Sequence, residues 1–254
     1  MRLFRRVRQK LILDNKKIQY LKYALGEILL VVIGILIALQ INNWNQSVKD
    51  KKSLNEYLIK IKSHISEDIK KLEELSKGRK QIADICKKAR NSILNKTEID
   101  NLFLFKISGA AFVDFYFKPN SGGYESLINS QYYGKINNTK LDSLLAEYHG
   151  LVDIIAENER SYNQYTVHLE NYLDTQFDRS LILASAFMSL DSLAAKATPQ
   201  SEYDQAFLEY TVKPAYRNVI SLAAWQFDTM IEQYNQLTEL GHQIMKEIDT
   251  ITED

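Results

Sequence analysis

The chain is poor in the residues that crosslink or interrupt a polypeptide. Its 254 residues include one cysteine, three prolines and nine glycines. A single cysteine, Cys86, excludes an intramolecular disulfide. Few prolines and glycines leave long helices as the expected secondary structure. The formal net charge is zero, so nothing in the composition indicates a nucleic-acid partner.

Sequence motifs for catalysis are also missing. No H-E-x-x-H, C-x-x-C, Walker or G-x-S-x-G pattern occurs. The pairs His64 with Asp68 and His149 with Asp153 have a spacing of four residues, which charged helix faces produce routinely. We therefore predict a protein that is not an enzyme, with no catalytic residues, no metal site and no cofactor.

The first 22 residues are strongly basic. Asp14 is their single acid, against eight basic residues: Arg2, Arg5, Arg6, Arg8, Lys10, Lys16, Lys17 and Lys22. Such a flank before an apolar stretch is typical of the cytoplasmic side of a membrane protein. Residues 1–22 are thus predicted to be a cytoplasmic leader.

Residues 23–44, "YALGEILLVVIGILIALQINNW", form a predicted transmembrane helix. About twenty residues as a helix extend roughly 30 Å, which matches a bilayer core. Tyr23 and Trp44 stand where interfacial aromatic residues are expected. The alternative is a cleavable signal peptide, but the leader is long and no A-x-A-like site follows the apolar run. The favoured topology is an uncleaved anchor with residues 45–254 outside the cytoplasm.

Two stretches of the sequence carry a family resemblance. The block "LFRRVRQKLILDNKKIQYLKYALGEILLVVIGILIALQINNWN" resembles the N-terminal signature of an uncharacterised family of single-pass membrane proteins from Bacteroidota, and "PNSGGYESLINS", residues 119–130, is a weaker second similarity. The resemblance implies an anchor in the inner, cytoplasmic membrane and a periplasmic helical domain. It implies no activity.

Three later segments repeat apolar residues at helical spacing. Each has one apolar stripe that needs a partner, so we predict an all-α fold in which residues 45–254 form a bundle of about three long helices. The second helix would run back toward the membrane and the third away from it. A dimeric coiled coil is the alternative, but additional apolar residues widen the first stripe beyond a two-stranded seam. The first bundle helix could continue the membrane helix, with breaks expected at Asn42, Asn43 or Gly78. The predicted stripes are Leu54, Leu58, Ile61, Ile65, Asp68, Leu72, Leu75, Arg79, Ile82, Cys86, Ala89, Ile93; Leu141, Leu144, Tyr148, Leu151, Ile155, Asn158, Tyr162, Tyr165, Leu169, Tyr172; and Tyr216, Ile220, Ala223, Phe227, Met230, Tyr234, Leu237, Gly241, Ile244, Ile248, Ile251.

Residues 101–138 differ in composition and are dense in phenylalanine and tyrosine. We predict that they form an aromatic-rich cap over the end of the bundle that is distal to the membrane. The cap would either close the bundle or offer a face to a partner or ligand, because aromatic side chains supply large contact areas. The residues of that candidate face are Phe112, Phe115, Phe117, Tyr124, Tyr132 and Tyr133.

Glu27 lies about one turn after the first residue of the predicted membrane helix. The positions three and four residues away hold no basic side chain. A face with 4, 3, 4, 3 spacing contains Gly34 and Ala38, a small-x-x-x-small pair that lets helices pack closely. This predicted helix-contact face consists of Glu27, Val31, Gly34, Ala38 and Ile41. The alternative is that Glu27 only extends to the cytoplasmic interface.

Two functions fit the sequence. The first is a membrane-anchored periplasmic scaffold or interaction subunit without catalytic activity. The second is a subunit of an energised or sensory membrane complex in which Glu27 gains and loses a proton. The expected partners are the lipid bilayer, a second transmembrane helix from the same or another protein, and an unidentified periplasmic protein.

Overall fold

A computed structural model describes residues 17–97, 110–187 and 199–253 of the chain. Within these ranges the protein is all-helical, which confirms the predicted fold class. It divides into two compact units with a boundary between Glu56 and Tyr57. Six helices are defined: α1 Lys17–Asn95, α2 Gly122–Ile128, α3 Lys140–Gln176, α4 Ser180–Phe187, α5 Gln200–Thr211 and α6 Pro214–Glu253, with a short 3₁₀ turn at Tyr133–Lys135.

The N-terminal unit contains an apolar stretch of α1 with no buried side chains. From Ala24 onward, α1 is long and apolar enough to cross a membrane. Leucine, isoleucine and valine side chains remain exposed on every side of it, as Leu29 and Leu36 illustrate. A helix that is apolar all round needs an apolar surrounding. The helix continues without interruption through Asn42, Asn43 and Gly78, so the expected breaks are wrong.

In the second unit, α1 and α3 run parallel and α6 runs antiparallel to both. Asp68 contacts Tyr148 and Arg79 contacts Glu159, so the residue numbers rise together in α1 and α3. Lys87 pairs with Asp228, whereas Lys62, further back in α1, pairs with Asp249, further on in α6. The predicted order, with the second helix running back along the first and the third reversing again, is therefore wrong.

The connection between α1 and α3 explains this difference. The hydroxyl of Tyr162 donates to the carbonyl of Ala111, and the ring of Tyr132 lies 6.0 Å from that of Tyr57. Residues 111–132 thus return along the bundle to the Tyr57 end before α3 begins. Because the connection has already brought the chain back to the Tyr57 end, α3 begins there and runs parallel to α1. Residues 111–132 of the predicted cap therefore lie along the helices, whereas its residues 101–109 lie outside the described residues.

The core confirms two of the predicted stripes in most positions and corrects the third. In α6, every predicted stripe residue from Tyr216 to Ile248 is buried. In α3, Tyr165 and Tyr172 are 40% and 56% exposed, although apolar spacing placed them inside. Polar side chains of the same helix are buried in their place, namely Glu159, Asn163 and Thr166. The apolar pattern fails where α3 packs against a polar network.

Helices α1 and α6 approach closely at Gly241. A Cβ atom built at this position would lie 3.0 Å from Ile65 and 3.1 Å from Ile69 of α1. These distances are shorter than ordinary van der Waals contact, and cores are packed too densely to absorb extra atoms freely. Gly241 therefore sets the separation of the two helices.

Candidate functional site

The most unusual element of the second unit is an extended segment, residues 111–121, which we call the strap. It is not helical, and it lies against α1 and α3. Helix side chains satisfy its backbone: the carbonyl of Phe115 accepts from Arg79 and Asn163, the amide of Phe117 donates to Glu159, and the amide of Asn120 donates to Asp68. The strap is thus fixed by side chains, without a β-ladder.

The first attachment point is a buried ion pair. Arg79 and Glu159 lie 3.5 Å apart, with side chains 0% and 1% exposed. Tyr234 of α6 joins them, because its hydroxyl accepts from Arg79 Nε at 2.7 Å and donates to Glu159. The amide of Phe117 reaches the other carboxylate oxygen at 2.8 Å. One network therefore connects α1, α3, α6 and the strap.

Aromatic rings surround the charge of Arg79. Its guanidinium carbon lies 4.8 Å from the ring centre of Phe227, 5.5 Å from that of Phe115 and 5.8 Å from that of Tyr234. Desolvation makes a buried ion pair a weak source of net stability, but removal of one partner leaves a costly buried charge. The network therefore specifies one alignment of the three helices and the strap.

The second attachment point is Asp68 of α1. The backbone amide of Asn120 contacts both carboxylate oxygens, at 3.0 and 2.9 Å, and the hydroxyl of Tyr148 donates at 3.4 Å. Lys71 lies 3.3 Å from the same carboxylate and also donates to the carbonyl of Lys118. Burial raises the pKa of Asp68 above its usual value, although these hydrogen bonds and Lys71 oppose the shift.

The strap leads into α2 through a close contact with α1. The amide of Gly123 donates to Nδ1 of His64 at 3.2 Å. A Cβ atom at Gly123 would lie 3.2 Å from that nitrogen and 3.3 Å from Cα of Ile61, so the approach requires glycine. The next residue, Tyr124, stacks on His149 with ring centres 3.9 Å apart. Burial lowers the pKa of His149.

A groove of about 440 Å³ lies between α1 and the strap. Gly78 leaves room in it, because a Cβ atom built there meets no atom within 4 Å. The strap contributes Tyr116, whose side chain is 47% exposed. The lining residues are Lys71, Glu74, Leu75, Gly78, Phe115, Tyr116, Phe117 and Lys118.

The six predicted face residues lie in different surroundings along the chain. Phe112 packs against Tyr216, with ring centres 6.3 Å apart. Phe117 is buried, and Phe115 lines the groove. Tyr124 stacks on His149 and Tyr132 packs near Tyr57, as described above. Tyr133 donates to Asp142 at 2.9 Å. Of the six, only Phe115 and Phe117 belong to the groove.

Sequence reasoning missed several groups at this site. Asp68 and Arg79 were visible as polar interruptions of an apolar stripe, which is a usable signal for buried charge. Glu159 carried no such signal, because the predicted α3 stripe passed through Asn158. The sequence could not show that Tyr116 and Gly78 line one groove, because this depends on the path of the strap. Within the described residues, no group of three His, Cys, Asp or Glu side chains is placed to hold a metal.

The contact face of the predicted membrane helix lies within the apolar part of α1. Val31 and Ile41 are 56% and 61% exposed, and a Cβ atom at Gly34 meets no atom within 4 Å. Helical spacing places Glu27 and Ala38 on the same face. Its role in helix association stays a prediction.

A comparison with protein-family models finds a match. A model described as "Family of unknown function (DUF6090)" matches residues 27–178, which is more than half of the chain. The matched range includes Asp68, Arg79, Glu159 and the whole strap, and ends before α4. No curated protein and no solved structure matches the chain.

Proposed function

We propose that this chain, which belongs to the DUF6090 family of unknown function, is a membrane-anchored helical scaffold that binds a partner protein and catalyses no reaction. In this proposal α1 anchors the chain in the inner membrane of a bacterium of the Bacteroidota. The leader remains in the cytoplasm and the bundle stands in the periplasm.

The anchor part of the proposal is supported by composition. The basic leader precedes an apolar stretch that has no buried residues, a combination typical of an uncleaved span with a cytoplasmic N-terminus. Protease added to intact spheroplasts should degrade the bundle and leave the leader protected. Protection of a C-terminal tag would contradict this topology.

The single observation that carries the binding function is the groove beside the strap. Binding sites are usually concave, largely apolar and preformed, with a few polar groups. Here Phe115, Leu75 and the half-exposed ring of Tyr116 supply apolar surface, and Lys71, Glu74 and Lys118 supply charge. The buried network holds the strap in place before any partner arrives, which lowers the ordering cost of binding.

The groove can be filled without disturbing the fold. Gly78→Leu would project a side chain into the groove, since a Cβ atom there has open space. Gly150→Leu is the matched control, because Gly150 is also helical, is exposed and has no atom within 4 Å of a built Cβ. Both variants should fold, and replacing glycine in a helix interior should stabilise each one slightly.

A photo-crosslinking residue placed at Tyr116 of the full chain in native membranes would read out binding. We expect a discrete adduct that Gly78→Leu abolishes and Gly150→Leu leaves unchanged. The same probe at Gln164, an exposed position of α3, should give no such adduct. Equal adducts from both positions, or an adduct insensitive to Gly78→Leu, would contradict binding in the groove.

A second candidate function concerns Glu27. It is the only charged residue between Lys22 and Lys49, and acidic side chains in membrane helices often take part in proton movement or helix contact. In this alternative the protein is a subunit of an energised or sensory complex, and Glu27 titrates. Glu27→Gln would then abolish activity of the complex while assembly persists; unchanged activity would exclude a titrating role.

The same face supports a contact with another transmembrane helix, from a second copy or from a partner. Replacing Gly34 and Ala38 with leucine adds bulk and preserves apolar character, so insertion should survive while association weakens. A cysteine near Gly34 in a Cys86→Ser background would report association by crosslinking. Equal crosslinking in the leucine variant would exclude this face.

A further inference from the structure

The strap has two backbone edges, and the bundle uses them differently. In an extended chain, the N–H and C=O of one residue point to the same edge, and successive residues alternate between the two edges. The carbonyl of Phe115 accepts from Asn163 of α3. The amide of Phe117 donates to Glu159 of the same helix, so this edge faces α3. Tyr116 lies between them, and its backbone groups therefore point to the opposite edge.

The opposite edge faces the groove. Lys118 is in phase with Tyr116, and its carbonyl accepts from Lys71 of α1 at 3.4 Å. All three residues line the groove. Arg79 of α1 also donates to the Phe115 carbonyl, but its side chain is fully buried and is not part of the groove lining. Among the described residues, neither the amide nor the carbonyl of Tyr116 has a hydrogen-bond partner.

An extended peptide fits this edge, whereas a helix does not. The α1 side of the groove runs from Lys71 to Gly78, which corresponds to roughly 10 Å of helix. An extended chain advances roughly 3.3 Å per residue, so about three residues would lie along it. A helix uses its own backbone groups internally and could not exchange hydrogen bonds with Tyr116.

The charges at the groove select the peptide further. Lys71 is already engaged by Asp68 at 3.3 Å. Lys118 and Glu74 are exposed and form no salt bridge with another described residue. An acidic side chain would complement Lys118, and a basic one would complement Glu74. Most of the other lining side chains are apolar, so the remainder of the peptide should be apolar as well.

We propose that the groove binds a partner protein through an extended, mainly apolar segment that carries one acidic and one basic side chain. One residue of that segment exchanges both backbone hydrogen bonds with Tyr116, so the segment and the strap form a two-stranded ladder. Backbone pairing of this kind supplies affinity, and the side chains supply specificity. The proposal rests on the proposed function, because it names the class of partner for the same groove.

An array of acetylated and amidated octapeptides provides the probe, with alternating valine and threonine and one acid and one base at varied positions. The full chain in detergent should bind a subset of these peptides. Gly78→Leu should bind none of that subset, and Gly150→Leu should bind as the parent does, because only Gly78 lines the groove. The absence of any peptide that distinguishes the parent from Gly78→Leu would overturn the proposal.

A scan of the best-binding peptide by N-methylation reports the backbone pairing. Each nitrogen is methylated in turn, which removes one N–H donor. Binding should weaken roughly fivefold or more at one position, as expected for one lost hydrogen bond, and stay unchanged at the two neighbouring positions, which point away from the strap. Equal tolerance of methylation at every position would overturn the extended mode.

Two substitutions of Tyr116 test the same pairing from the strap. Tyr116→Ala and Tyr116→Pro both lose the ring, but only proline loses the amide donor. Because this amide has no partner among the described residues, the two variants should unfold at the same temperature. Tyr116→Pro should bind the peptide roughly fivefold more weakly than Tyr116→Ala.

Equal binding by the alanine and proline variants would overturn the extended mode. A lower Tm for Tyr116→Pro than for Tyr116→Ala would also overturn it, because the amide would then be bonded within the bundle. The photo-crosslinked adduct in native membranes and its loss in Gly78→Leu depend on the groove and not on backbone pairing. They therefore report separately on the proposed function.

Discussion

Helix α1 contains two regions that treat apolar side chains in opposite ways. In the stretch that begins at Ala24, apolar residues face every direction and none is buried. In the part within the bundle, one stripe is buried, with Asp68 and Arg79 as its charged members, and most of the exposed positions are polar or charged. The helical backbone is common to both regions, so the distribution of side chains alone decides the surrounding that each requires. Substitutions at matched positions can test this division.

The largest expected effect comes from removing a buried charge of the bundle, since the apolar stretch of α1 has no buried residue. Arg79→Met leaves Glu159 buried without its counter-ion, so we expect a loss of about 3–5 kcal/mol in the free energy of unfolding. Denaturant unfolding of the full chain in detergent, followed by circular dichroism, would measure it. Lys80→Met, an exposed neighbour, should change little. Equal stability of the two variants would show that the ion pair is not needed.

A leucine-to-alanine pair compares the two regions directly. Leu72 is fully buried, whereas Leu36 is 57% exposed. Leu72→Ala should destabilise the bundle by about 2–5 kcal/mol through lost burial and a cavity. Leu36→Ala should leave the unfolding of the bundle unchanged. A similar loss from both substitutions would disprove the division of α1 into two regions.

A glycine pair makes the same comparison for helix packing. Gly241→Ala places a methyl group 3.0–3.1 Å from Ile65 and Ile69, and overpacking of this kind costs about 1–3 kcal/mol. Gly34→Ala meets no atom and should not lower the unfolding midpoint of the bundle. If Gly241→Ala were stabilising, the separation of α1 and α6 would be wider than described.

The smallest expected effect concerns pH. Because burial lowers the folded-state pKa of His149, the unfolded chain binds more protons as pH falls below about 6.5, and stability declines there. Asp68 behaves differently, because its folded-state pKa is raised. Its folded form takes up a proton first, so its contribution favours folding as pH falls toward the ordinary value of an aspartate.

Two variants distinguish the contribution of His149 to the pH dependence of stability from that of Asp68. His149→Gln should flatten the decline in unfolding free energy between about pH 7 and pH 5. Asp68→Asn should remove the opposing contribution at lower pH, where carboxylates titrate. Parallel pH profiles for the parent and His149→Gln would show that the imidazole is not buried in solution.

Much of the fold followed from spacing and composition. The helical class, the apolar stretch of α1 and the α6 stripe depend on local patterns, which the sequence displays directly. The direction of α3 did not follow, because it depends on how far residues 111–132 travel before the next helix begins. The site could not be predicted for a related reason. Glu159 and Asn163 are buried where the backbone of Phe117 and Phe115 in the strap supplies their hydrogen-bond partners. No periodicity in the sequence encodes such a contact between distant segments.

The antiparallel pairing of α1 and α6 has a mechanical consequence. Lys62 and Asp249 are neighbours, so the chain enters the bundle near Tyr57 and leaves it near Glu253 at the same end. Tension applied between these two points would open the contact between α1 and α6 progressively from that end, one helical turn after another. Loading of that kind breaks few contacts at a time, and the force that the bundle withstands would be low. The first interactions to fail would be Lys62 with Asp249 and the packing at Gly241, whereas the Arg79 network would fail later and the pair of Lys87 with Asp228 after it.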